Sequence, residues 1–161
     1  MDVSFRRVRE SDLKRLNDLV NDTDVARYLS ITPPISMRST RQLYDRMRGG
    51  GRWFAILVDD AVEGSYMLRP KDRDKQRHVA DFGINVSRRC WGVGVGASAM
   101  AHMLAQARLM GLRRVELEVV EGNARARRLY KSSGFAREGR KRRAFKVGGS
   151  FCDSIVMGRL L

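Results

Sequence analysis

Cysteine is nearly absent from this chain: Cys90 and Cys152 are the only two in 161 residues, too few for a disulfide framework. Histidine is as scarce, and His78 and His102 share no metal-ligand spacing with either cysteine. No metal is expected, and both thiols should be free. Three prolines, two of them adjacent at Pro33 and Pro34, leave little to mark a linker or a boundary. No apolar run approaches the roughly 18 residues that a membrane span needs. The opening MDVSFRRVRESD lacks the apolar core and small-residue cleavage site of an export signal, so the expectation is a cytoplasmic protein with no membrane partner. There is no repeat and no low-complexity tract, and residues 1–161 read as one domain. A chain of that length can bury roughly two thirds of its unfolded surface in a single core.

Negative charge is also in short supply. Against 32 Lys and Arg stand 18 Asp and Glu, leaving a formal net charge of +14. Such a field attracts polyanions, among them nucleic acid and the ribosome surface. The arginines run from Arg6 to Arg159 without gathering in one stripe, which suits a merely soluble basic surface equally well.

What is present is a regular alternation of strand and helix patterns. VSFRRVR alternates as a strand, and Ser11 or Asp12 is placed to cap a helix with Leu13, Leu16, Leu19 and Val20 on one face. A helical piece near Val25, Ala26 and Leu29 precedes the proline pair, and STRQLYDRMR follows it as a helix ended by Gly49, Gly50 and Gly51. WFAILV, a turn at Asp59 and Asp60, and AVEGSYMLRP form a hairpin, to which HVADFGINV adds a third strand. Met100, Met103, Leu104 and Ala107 recur at helical spacing. RRVELEVVE is then a strand, NARARRLYKSS a helix closed by Gly134, and FAREGRKRRAF with SFCDSIVMGRL a final strand pair. The layout is mixed α/β.

Between the third strand and the Met-rich helix, CWGVGVGASAM sets Gly92, Gly94 and Gly96 on alternate positions. Bare amides at a helix N-terminus suit an anion, because nothing shields the N–H groups and the helix end adds partial positive charge. The spacing is not that of a dinucleotide fingerprint, and no Lys-Ser/Thr follows as in a Walker A loop.

The stretch from Phe82 to Phe135 resembles the acetyl-CoA-binding core of the GNAT superfamily of N-acetyltransferases. In that family a splayed strand leads to a Gln/Arg-x-x-Gly-x-Gly/Ala loop and helix, and a later strand leads to Asn-x-x-Ala-x-x-Leu-Tyr-x-x-x-Gly-Phe. Asn123, Ala126, Leu129, Tyr130, Gly134 and Phe135 supply the second motif in full. The first fits as Arg89, Gly92 and Gly94 or as Trp91, Gly94 and Gly96. The latter is preferred, since it keeps Val86 five residues ahead of the motif and leaves Ala97 to begin the helix. Trp91 then stands where the family usually has Gln or Arg, and Val93 where it often has a basic residue.

The resemblance implies a single-domain α/β fold with a mixed central sheet of about six to seven strands, flanked by helices and splayed at the acetyl-CoA site. It implies acetyl transfer to a primary amine by direct attack in a ternary complex, with acetyl-CoA as co-substrate. By the same resemblance, the main chain of Ile84, Asn85 and Val86 pairs with the pantetheine arm and polarises the acetyl carbonyl. The amides of Gly92, Val93, Gly94, Val95, Gly96 and Ala97 receive the pyrophosphate, the Asn123 side chain binds the cofactor, and Tyr130 protonates the departing thiolate. A buried core tyrosine is the plainer reading of Tyr130, which shares a helical face with Ala126, Leu129 and Ser133.

For the base, Glu118 matches in position the glutamate of ribosomal-protein N-terminal acetyltransferases. Asp81, a water chain and His78 are the other candidates. Arg125, Arg127, Arg128 and the basic run at residues 137–143 could meet the 3′-phosphate of CoA, an acidic acceptor or rRNA, or simply be solvated. Cys90 reads as a small core filler. The last third is most similar to bacterial members that acetylate free amino acids or related small amines, so a small-molecule amine acceptor is expected. A protein or ribosomal-protein N-terminal acetyltransferase and a non-catalytic acyl-CoA or nucleic-acid-binding module are the alternatives. The family also admits a homodimer.

Overall fold

The apolar run WFAILV lies in strand β2 (Arg52–Val58), and its alternate residues enter two different cores. Such a run reads as unbroken because both of its faces are covered. In the computed structural model, which describes residues 1–161, the elements follow the order β1 (Val3–Arg7), α1 (Leu13–Asn21), α2 (Thr23–Ala26), α3 (Met37–Arg48), β2, β3 (Ala61–Pro70), β4 (Val79–Val86), α4 (Val95–Leu109), β5 (Arg114–Val120), α5 (Ala124–Ser132), β6 (Ala136–Val147) and β7 (Ser150–Leu160).

Seven strands form one mixed sheet in the order β1-β2-β3-β4-β5-β7-β6. Phe54, Ile56 and Val58 join the larger core with Met100 and Met103 of α4 and Tyr130 of α5. Trp53, Ala55 and Leu57 face the other way, against Leu13 and Leu16 of α1 and Met47 of α3. The flanking helices and the seven-stranded sheet agree with the expected fold class. No helix is long and apolar enough to cross a membrane.

Two features of the sheet position the site. β4 and β5 are parallel neighbours only where Val79 to Asp81 pair with Arg114 to Glu116. Beyond that point they part, leaving the β5-facing edge of residues 82–86 without a partner strand. The second feature is a bulge in β3. Ile56 pairs with Gly64 and Leu57 with Val62, so Glu63 has no partner on β2. A bulge of this kind re-aims the extra side chain, and here it sends Glu63 inward to 1% exposure.

Local starts differ from the expectation in two places. Neither Ser11 nor Asp12 caps α1 from the N-cap position. A 3-10 turn over Glu10–Asp12 precedes the helix, and the Asp12 carboxylate reaches back to the Arg9 N–H (2.8 Å) while holding Arg6 (2.6 Å). The arginine charge outbids a simple cap. Helix α4 begins at Val95 and not at Ala97, because Gly94 already takes the left-handed conformation (φ +92°) that turns the chain into the helix.

Candidate active site

The gap between the diverging strands is a cavity of about 590 Å³. Ile84, Asn85 and Val86 line one wall, Leu117 and Glu118 the other, and Gly92, Gly94, Gly96 and Ala97 close one end beside Asn123 and Tyr130. Thus most of the residues singled out from the sequence are brought together. Of those expected to bind the cofactor, two side chains are not: the Val95 side chain is wholly buried in the core, and Val93, half exposed, does not line the cavity. At those positions only main-chain groups are available.

The three glycines have different reasons. Gly92 (φ +76°) and Gly94 (φ +92°) are left-handed, with open space where a Cβ would stand. Gly96 sits in the first turn of α4, where a Cβ would lie 3.1 Å from Leu129 Cδ2. The first two shape the loop, and the third lets α4 pack on α5. The arginine of the alternative register, Arg89, pairs with Glu63.

Trp91 donates its Nε1–H to the Val86 carbonyl (2.8 Å), and the Arg125 guanidinium stacks on its ring 3.4 Å from the centroid. A cation held this way on an aromatic face places one positive charge at the cavity rim. The loop, the end of β4 and the start of α5 are thereby tied together. Asn123 caps α5, accepting from Ala126 N–H at 3.2 Å through its side-chain oxygen. Asn123 also lines the cavity.

Tyr130 packs between Phe82 and Phe135, with ring centroids 6.3 and 6.1 Å away. It is both core and cavity lining, so the two readings of this residue are compatible. Burial pushes its phenol up to about 12, which keeps it protonated.

Glu118 lies on the cavity wall with its carboxylate accepting from Lys141 Nζ (2.7 Å) and Ser154 Oγ (2.5 Å). Burial alone would raise its pKa, but those hydrogen bonds and the Lys141 charge outweigh it and hold the group below its ordinary range. Asp81 also lines the cavity, 3.6 Å from Lys71. His78 does not reach the cavity, and Cys90 is buried in the core as expected. The basic run is partly engaged within the chain: Arg140 pairs with Glu121 and Asp153, and Lys141 with Glu118.

Sequence reasoning missed part of the cavity lining. Tyr28, Leu29 and Ser30, after α2, together with Arg69 and Phe145, also line it. They come from three separate segments with no shared motif, and only the folded chain assembles them.

These residues fit an acyl-CoA. An unpaired strand edge suits an amide-bearing arm, glycine amides at a helix N-terminus suit a pyrophosphate, and the cavity is large enough for a small ligand beside them. Comparisons with known proteins agree. The family model described as an acetyltransferase (GNAT) domain matches residues 2–136. The chain is 32% identical to the L-amino acid N-acetyltransferase AaaT of Escherichia coli over 114 residues, 70% of each protein. A solved phosphinothricin acetyltransferase of Sinorhizobium meliloti, in complex with AcCoA, superposes with a TM-score of 0.92 at 18% identity, covering 100% of this chain and 89% of that one. A ribosomal-protein-alanine N-acetyltransferase of Brucella melitensis gives 0.88 at 24% identity, covering 98% and 99%.

Proposed function

From its place in the GNAT acetyltransferase family, to which this chain belongs as an acetyl-CoA-dependent N-acetyltransferase, we propose that it acetylates the primary amine of a free amino acid or a related small amine. The observation that carries the acceptor class is the 32% identity to an L-amino acid N-acetyltransferase across 70% of the chain. A cavity of about 590 Å³ supports it, being of the size small ligands fill.

Acetyl-CoA, when bound, supplies a thioester open to direct attack by the amine. The amides from Gly92 to Ala97 would hold the pyrophosphate, with Asn123 lining the same cavity. The free edge of Ile84, Asn85 and Val86 orients the pantetheine arm and aims an N–H at the acetyl oxygen, where charge builds. Glu118, ionised at neutral pH, takes the proton of the acceptor amine; Asp81 or a relayed water are the competing acceptors. Tyr130 keeps its proton at every working pH. Against a thiol with a pKa of about 8.5, full proton transfer from a phenol near 12 is uphill, so Tyr130 would donate a hydrogen bond to the departing sulfur that strengthens as negative charge builds there, and solvent would supply the proton.

Thiol release from acetyl-CoA, followed across amino acids, polyamines, amino sugars and short peptides, tests this reading. Saturable turnover with amino acids is expected. Turnover confined to peptides would replace it with the second reading, an N-terminal acetyltransferase acting on proteins. That reading is favoured by Glu118 on the cavity wall and by the exposed, Arg-rich strand β6 near the cavity.

A further inference from the structure

Glu63 is a buried acid outside the cavity, with no part in the chemistry above. The β3 bulge turns its side chain inward, and donors from two other elements meet it there. Ser87 donates its Oγ–H to the carboxylate (2.5 Å) and its N–H to the Glu63 carbonyl (2.7 Å). Arg89 pairs with one carboxylate oxygen, and Arg15 of α1 lies 3.2 and 3.3 Å from the two. Burial alone would raise the Glu63 carboxyl, but the bonds from Arg89 and Ser87 and the arginine charges hold it below its ordinary range. Next door, Gly64 lets β4 approach closely: a Cβ there would collide with the Asn85 carbonyl oxygen.

Burying an ionised carboxylate is a costly way to gain stability, since apolar packing does as well or better. Its location offers another reason. Ser87 and Arg89 belong to the 3-10 turn between the end of β4 and the glycine loop. The neighbours in that turn are fixed too: Arg88 pairs with Asp24 at 2.5 Å, Cys90 is buried, and Trp91 bonds Val86. We propose that Glu63 is a positioning residue, a charged anchor that sets the turn from Ser87 to Trp91 and so fixes the glycine amides relative to the free edge of β4. The inference rests on the reading that this loop holds the CoA pyrophosphate. Because Arg89 is consumed by this anchor, phosphate recognition falls to main-chain amides and to Arg125.

Calorimetric titration of CoA, well below each protein's melting temperature, tests both layers. Gly94→Arg tests the loop and should abolish measurable CoA binding. Glu63→Gln preserves shape while removing the charge, and should raise the Kd for CoA about tenfold or more, a loss of about 1.4 kcal/mol. Arg89→Gln, at a side chain 66% exposed, should raise Kd in the same direction, and the double variant should add little to Glu63→Gln alone. That arm stands even where Glu63→Gln fails to fold. A purely structural Glu63 would lower the melting temperature and leave the Kd of the folded protein unchanged, which overturns the proposal. Unchanged Kd in Gly94→Arg overturns the loop reading, and the anchor with it. Weakened binding in Gly94→Arg alone overturns only the anchor.

Discussion

Tyr130 is placed both to pack the core and, on the proposed mechanism, to meet the departing sulfur. Its ring fills the core between Phe82 and Phe135, and its phenol is held near 12 by burial. Tyr130→Phe keeps the ring, so CoA affinity should stay constant while kcat falls by about 10² or more, the usual weight of one hydrogen bond to developing charge. Unchanged kcat would remove that role. Glu118 gives the second prediction at this scale. With its carboxyl held low by Lys141 and Ser154, it is already ionised where the acceptor amine, with a pKa of about 7.7 to 8.0 for an α-amine, is still charged. The rising limb of kcat/KM with pH should therefore follow the acceptor and move when a more basic amine is used. A limb fixed near neutrality for every acceptor would point to another base. Tyr130 was legible in the sequence because a motif surrounds it. The partners that set the basicity of Glu118 lie on β6 and β7, 23 and 36 residues away, and no local pattern announces them.

At the scale of elements, the glycine loop separates into parts with different physics. Gly94→Ala puts a side chain into a left-handed residue, at a cost of about 1 to 2 kcal/mol, and should weaken CoA binding whatever its neighbours are. Gly96→Ala instead presses on Leu129 at 3.1 Å. Its loss in thermal stability should be recovered by Leu129→Ala in the double variant, and failure of that rescue would show that Gly96 serves the loop and not the α4–α5 contact. The sequence revealed that three glycines alternate, and could not assign these roles, because Leu129 comes from another helix. Strands were easier: the hairpin at Asp59 and Asp60, both with positive φ (48° and 63°), is carried by local turn chemistry. Starts of helices α1 and α4 were read less well. Asp12 is drawn to Arg6, a contact outside its own helix, and Gly94 begins the turn earlier than the alanine-rich pattern suggests.

For the whole molecule, the buried Asp12 and Glu63, the half-buried Glu116 and the more exposed Glu118 have folded pKa values below their ordinary ones, because hydrogen bonds and arginine or lysine charges outweigh desolvation. A carboxylate depressed in this way contributes stability that is complete above its unfolded pKa and fades as pH falls through the folded one. The melting temperature should thus be flat above about pH 5 and drop below about pH 4, with a shallower drop in Glu63→Gln; an identical drop would show that Glu63 is not linked to folding. The net charge of +14 was legible from composition, but its distribution was not, since two basic residues of β6, Arg140 and Lys141, are paired with Glu118, Glu121 and Asp153 across the sheet. The segments that bring Tyr28, Leu29, Ser30, Arg69 and Phe145 to the cavity are likewise a property of the assembled fold. The most direct test of the central claim is the rate of thiol release from acetyl-CoA with free L-amino acids, measured against short peptides beginning with the same residues. Saturable turnover with the free amino acids, at higher kcat/KM than with the peptides, is predicted. Turnover with the peptides alone, or with neither, would contradict it.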